Sequence, residues 1–258
     1  MHAVESEVQK PKTATLSQRF QSRDQAELLM LLDELTHGEP DAHQAARAVS
    51  ELLMAGQADV VTDHALETLG RLGVHEGRDA LESYTHHRRA ETRQRAYTAL
   101  AQLKEPSVAA REAEGLRDAA PEVRAAAARA LGELKATSAT KDLLRALGRG
   151  VSEAAVALGQ CGDASSVESF DAFVGKQPLD VMLAGYANYL QRDDIPESAK
   201  LHIIAALEEV AGGTVKQFLS EQLTTDRGVR SPALQRAISA SIARIRVEPV
   251  GSHGAVMR

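Results

Sequence analysis

The residues able to do chemistry are few. His75 and Glu76 adjoin, an imidazole beside a carboxylate. His86 and His87 adjoin too, but neighbouring side chains on a helix diverge by about 100°, which suits no shared metal ion. Cys161 is the single cysteine, so no disulfide can form within the chain, and at a helix end it reads as a buried structural thiol. There is no Gly-rich phosphate loop and no Gly-x-Ser-x-Gly turn. No catalytic residue, cofactor or metal ligand is expected. Arginine remains, concentrated in the middle of the chain at Arg88, Arg89, Arg93, Arg95, Arg111, Arg117, Arg124, Arg129, Arg145 and Arg149.

Those arginines ride on helices. From Asp118 to Lys135 the chain starts a helix sharply: Pro121 suits a first turn, where its missing N–H has no partner, and Glu122 favours the positive end of the dipole. Val123, Ala127, Ala130, Leu131 and Leu134 fall on one stripe at helical period, and Ala125 to Ala128 are four consecutive alanines that let a neighbour approach closely. The pattern recurs. Arg93 and Leu100 stand 31 residues before Arg124 and Leu131, Ala65, Leu69 and Leu72 repeat it upstream, and 151–161 and 229–245 repeat it downstream. Shorter amphipathic segments at 77–85, 108–116, 139–147, 167–174 and 215–223 alternate with these. Two helices per roughly 30 residues predict a helical solenoid.

Asp118 and the run Pro121, Glu122, Val123, Arg124, Ala127, Ala130, Leu131, Gly132 resemble the HEAT-like repeat in its short bacterial form, also found in phycobilin lyases. The resemblance implies an all-α, right-handed α-solenoid of stacked antiparallel helix pairs whose second helices line a concave face. It also implies that Arg93, Arg124 and Arg230 brace the turn between repeats, with Asp118 as the partner of Arg124. It implies no activity, since such repeats serve scaffolds, adaptors and a few enzymes. The HEAT-repeat hydroxylases that bind iron use several His-Glu pairs; this chain has one. A HEAT-like DNA glycosylase would need aromatic walls with tryptophan, and the chain has none.

Composition agrees with an all-helical chain of 258 residues, with aromatics at 3%. The apolar run from Leu28 to Leu32 is far below the roughly 18 residues that would span a membrane, and the first residues, with Glu5 and Glu7, do not form a secretory signal. A cytoplasmic protein is expected. Residues 1–21 read as a flexible tail, 22–247 as the solenoid, and 248–258 as a second flexible tail. Ser22 with Gln25 has the form of a capping box, Asp41 caps the next helix, and Gly212 with Gly213 ends the helix from Pro196. Phe170, Phe173, Tyr186 and Tyr189 cluster in an irregular stretch that reads as a packing adjustment, with a binding pocket as the alternative.

Charge divides the chain. Residues 1–85 carry 7 Lys/Arg against 15 Asp/Glu (−8), residues 86–149 carry 13 against 8 (+5), and 150–258 carry 10 against 13 (−3). Arg88, Arg89, Arg95 and Arg129 lie off both the repeat ladder and the apolar stripe, so they are the candidate partner-binding residues, suited to an acidic protein surface or segment. The functional expectation is a non-enzymatic scaffold or adaptor that binds a partner protein through the concave face and this basic patch. The alternatives are a bilin-lyase-like or chaperone-like enzyme, or a phosphate or nucleic-acid binder; nucleic acid is disfavoured by the net charge of −6.

Overall fold

A computed structural model describes residues 15–22, 24–37, 41–224 and 231–246. Those residues build an all-α fold of paired helices, with no strand among them and one isolated bridge between Val174 and Gln177. They gather into two compact units, residues 1–103 and 104–258. No helix among the described residues is long and apolar enough to cross a membrane.

The first unit holds α1 (Leu16–Arg19), α2 (Gln25–His37), α3 (Ala42–Met54), α4 (Asp59–Leu72), α5 (Arg78–Tyr84) and α6 (Ala90–Gln102). The second holds α7 (Ala109–Gly115), α8 (Pro121–Glu133), α9 (Thr140–Gly148), α10 (Glu153–Cys161), α11 (Ala164–Asp171), α12 (Leu179–Gln191), α13 (Glu197–Val210), α14 (Gly212–Thr224) and α15 (Pro232–Arg244). In the first unit α4 packs on α2, α3 and α6. In the second α10 packs on α8, α9 and α12, and α15 on α13 and α14.

Each of the regular repeats turns by the same device. The longer helix ends on a left-handed residue, and a three-residue 3₁₀ turn (His75–Gly77, Pro106–Val108, Thr137–Ala139) leads into the shorter helix. The left-handed residues are Gly73, Lys104 and Lys135, at φ 64°, 56° and 51°, spaced by 31 residues. After α8 the amide of Ala136 donates to Leu131 O and that of Lys135 to Gly132 O, each at 3.0 Å. This is a Schellman closure, and it needs φ > 0 at its hinge residue. Glycine fills that place once; lysine fills it twice at a steric cost.

Small residues set the helix spacing. A Cβ placed on Gly70 would lie 2.9 Å from Ala99 Cα, and one on Gly132 would lie 2.9 Å from Ala157 Cα. The stripe expected on α8 is the buried one: Val123, Ala127, Ala130 and Leu131 are all buried, and Leu134 packs at its edge. In the second unit Leu131, Leu143, Leu147, Leu158, Phe170 and Tyr186 belong to one continuous core.

Some boundaries differ from the sequence expectation. Of the expected tail, residues 1–14 lie outside the described residues, but from Thr15 the chain folds. Thr15 and Gln18 close a capping box on α1, and Phe20 is buried. At α2 the carboxylate of Asp24, not Ser22, takes the helix amide of Ala26 (2.9 Å), because Ser22 Oγ is two residues too far out and instead takes the amide of Asp24. Gly212 opens α14 rather than ending α13; the break falls on Ala211, at φ 53°. Pro178 and Pro196 stand at the N-caps of α12 and α13. The expected tail over 248–258, with Arg230 and Val247, lies outside the described residues.

Lys135→Gly should therefore raise stability by about 0.5–1 kcal/mol, since glycine accepts positive φ without the Cβ clash. Urea unfolding of the two proteins checks this, and a midpoint that does not rise for Lys135→Gly would mean that the left-handed turn carries no strain.

Candidate functional site

The candidate arginines separate between the units. Arg89 and Arg95 belong to the first, at the start and on the face of α6, where they meet the acidic side of α4. Arg95 Nε lies 3.0 Å from Glu67 Oε1, and its Nη1 lies 2.8 Å from Glu91 and 3.6 Å from Asp63. Arg89 reaches Asp59 (3.2 Å), Asp63 (3.6 Å) and Glu91 (3.1 Å). Thr92 Oγ1 donates to the other oxygen of Asp63 at 3.0 Å. The hydrogen bond from Arg95, reinforced by its charge, holds the Glu91 carboxyl below its ordinary range. Beside this network Glu67, Arg71, Gln94, Arg95, Thr98 and Gln102 line a groove of about 480 Å³ along α4 and α6. Arg88 is exposed next to Arg89. Arg129 belongs to the second unit, on α8, and pairs with Glu153 of α10 at 3.3 Å.

The +5 of the sequence segment is thus not a local excess of charge at α6. Asp59, Asp63 and Glu67 come from the acid-rich first third of the chain, and folding lays them against the arginines one repeat later.

The repeat arginines do brace turns, through backbone rather than carboxylate. Arg93 Nη1 donates to His87 O (2.9 Å) and Arg88 O (3.1 Å). Arg124 Nη1 donates to Asp118 O (2.9 Å) and Ala119 O (2.8 Å), while the Asp118 carboxylate accepts from the amide of Ala120. The same fork is made at equivalent positions in two repeats.

The aromatic stretch is core. Phe170, Tyr186 and Tyr189 are fully buried, with Phe170 edge-on to Tyr186 at 5.0 Å. The two tyrosine hydroxyls are satisfied internally: Tyr186 donates to Asp171 Oδ1, whose other oxygen meets His202 Nε2 at 2.6 Å, and Tyr189 shares a hydrogen with Ser166 Oγ. Cys161 is buried, and burial pushes its thiol up to about 11, so it is inert at neutral pH.

Two groups escaped the sequence reading. Glu112 on α7 is completely buried, and neither of its oxygens has a hydrogen-bond partner among the described residues. Burial, with a smaller push from the charge of Glu133, raises its carboxyl well above the ordinary range. In the first unit His43, at the start of α3, meets the His75–Glu76 pair. His43 Nδ1 lies 2.8 Å and His75 Nδ1 3.3 Å from Glu76 Oε2, while Arg47 holds Oε1 at 3.2 Å. The hydrogen bond from His43 is the leading cause that lowers the Glu76 carboxyl to about 2. The only sequence signal for His43 is its spacing, one repeat length before His75.

Residues 123–149, which span α8 and α9, match the model of the PBS lyase HEAT-like repeat. No curated protein matches the chain. Among solved structures it is similar to a designed armadillo repeat protein, at 15% identity over 90% of this chain and 98% of that one, with a TM-score of 0.41. It is also similar to two engineered proteins: one at 16% identity over 89% of this chain and 94% of that chain, TM-score 0.42, and one at 17% over 85% and 68%, TM-score 0.43.

Two expectations follow. Arg124→Ala should cost about 1.5–3 kcal/mol, because charge-assisted hydrogen bonds to two turn carbonyls are lost. Arg129→Ala, which breaks an exposed pair, should cost about 1 kcal/mol or less. Equal unfolding midpoints for the two variants would contradict the bracing role. The second expectation concerns pH. The native chain holds the Glu112 proton to higher pH than the unfolded chain does, so the stability contribution is complete below the ordinary value of 4.5 and is lost as pH climbs through the raised native value. Glu112→Gln cannot ionise, so its stability advantage over wild type should grow from pH 4 to pH 8. Urea unfolding at several pH values measures that difference, and a pH-independent gap would disprove the assignment.

Proposed function

We propose that this HEAT-like repeat protein is a non-enzymatic scaffold or adaptor of the cytoplasm that holds a partner protein with an acidic surface or segment. Its contacts in the first unit are Arg88, Arg89 and Arg95, and Arg129 is a separate contact in the second. The observation that carries this reading is the ladder of ion pairs along the polar groove of α4 and α6. Exposed ion pairs are worth only about 0–1 kcal/mol each, so a carboxylate of the partner can replace Glu67 or Glu91 on Arg95 at little net cost. The guanidinium groups are held ready in a fixed geometry by the residues they would exchange.

The ion pairs also decide which variants test the reading. Reversing Arg89 or Arg95 to Glu would set a carboxylate among Asp59, Asp63, Glu67 and Glu91, and lost binding would then be mixed with lost stability. Arg88 is exposed, and Arg129 faces one carboxylate, Glu153, across an exposed pair, so reversing these two disturbs the fold least. Wild type and the Arg88→Glu/Arg129→Glu variant, used as baits in native extract with mass spectrometry of what is retained, should differ by roughly tenfold in capture of the same protein, and wild-type capture should fall as salt rises. Equal capture, or capture indifferent to salt, would overturn the reading.

A further inference from the structure

We propose that His43, His75 and Glu76 form a binding site for a borderline divalent transition-metal ion, of which Zn²⁺ is the representative. This site lies in the first unit, apart from the arginine ladder, and nothing in the scaffold reading requires it.

The three residues come from two elements that the fold fixes against each other. His43 stands in the first turn of α3, anchored by the Asp41 cap, whose carboxylate accepts from the amides of His43 and Gln44. His75 and Glu76 occupy the 3₁₀ turn after α4, which packs on α3. Ser50 of α3 donates to the carbonyl of Glu76 at 3.4 Å, which ties the turn down from the same helix. Candidate ligand atoms of all three residues lie within 4.8 Å of one another.

Their spacing is that of ligands around a metal. Bonds of about 2.0–2.2 Å put neighbouring ligands about 3.0 Å apart in octahedral and about 3.4 Å apart in tetrahedral geometry. The two imidazole nitrogens lie 2.8 and 3.3 Å from Glu76 Oε2. An ion at the centre displaces the hydrogen that His43 now shares with the carboxylate, and neutral imidazole supplies the lone pair. Arg47 stays on the other oxygen, so Oε1 is held by a partner outside the ligand set and Oε2 is left for the ion. Two imidazoles and one carboxylate suit Zn²⁺, Co²⁺ or Ni²⁺. Mg²⁺ and Ca²⁺ prefer oxygen ligands throughout. Both imidazoles are more than half exposed, which leaves a way in and open coordination positions for water.

The sequence argued against metal because it offered one His-Glu pair. Folding supplies the third ligand from 32 residues away.

The test uses the full chain without a histidine tag, with ZnCl₂ as the probe. Calorimetry should give one Zn²⁺ per chain, and a thermal melt should shift upward with added Zn²⁺. His43→Ala, His75→Ala and Glu76→Gln should each weaken binding by at least tenfold and abolish the shift. The first two alter exposed side chains and Glu76→Gln keeps the shape of the carboxylate, so folding is retained. His86→Ala/His87→Ala should bind as wild type does. X-ray absorption of the zinc-loaded protein should show two imidazole nitrogens. No saturable binding, binding that survives His43→Ala and His75→Ala, or equal competition by Mg²⁺ would each overturn the proposal.

Discussion

Close approach of helix backbones at small residues is the constraint on which the rest of the structure depends. At Gly159 a Cβ would meet the carbonyl oxygen of Gly185 at 2.3 Å, and at Gly132 it would meet the backbone of Ala157. No side chain larger than hydrogen fits at these seams. The contact therefore fixes both the distance between α10 and α12 and the register in which they slide. With register fixed, leucines above and below the seam, such as Leu131 and Leu158, fall into a shared core. The dispersion gained there comes from many small contacts whose sum depends on that spacing. Alanine-rich helices such as α8 would be poor core builders alone; against glycine they become close-packed ones.

That register also determines the electrostatics. Because long helices lie beside one another within each unit, a side chain meets partners about one repeat later in sequence. Glu67 pairs with Arg95, Asp63 accepts from Thr92, Asp171 meets His202, and Glu208 takes a two-pronged contact from Arg244. Charge counted along the chain is therefore a poor guide to charge in space. Acidic residues of α4 and the arginines at and on α6 are neighbours in the fold, and their charges cancel there. Glu112 is the exception, since it is buried on α7 with no partner for its oxygens among the described residues, and burial keeps its proton on to higher pH.

The helices were legible because burial here is periodic. A stripe such as Val123, Ala127, Leu131 can face only one way, and the 31-residue recurrence of that stripe with its arginine marked the repeat. The turn arginines were legible for the same reason, although their acceptors proved to be carbonyls: a side chain can be read from sequence, but the direction of a backbone oxygen cannot. Left-handed lysines at 104 and 135 were hidden because only glycine advertises that conformation. His43 and Glu112 were hidden because their meaning depends on contacts from another element. An exposed histidine in a first turn and a glutamate on an amphipathic helix look ordinary until something packs against them.

The distribution of apolar surface narrows the kind of recognition this protein can perform. Strong protein interfaces rest on buried aromatic and arginine anchors. Here Phe170, Tyr186 and Tyr189 are spent inside the second unit, and the hydroxyls of both tyrosines are answered within the chain. Among the described residues the large apolar side chains most exposed are Met30, Met54 and Val60, on three separate helices, with Leu201 and Val210 on α13. Exposed apolar residues in this number are ordinary on a protein surface. Under the proposed function the anchor is arginine, presented by ion pairs that are easily exchanged. Recognition built on it gains more in rate and selectivity than in raw affinity, and it weakens with salt. A surface of the proposed kind would capture and release a partner rather than join it permanently.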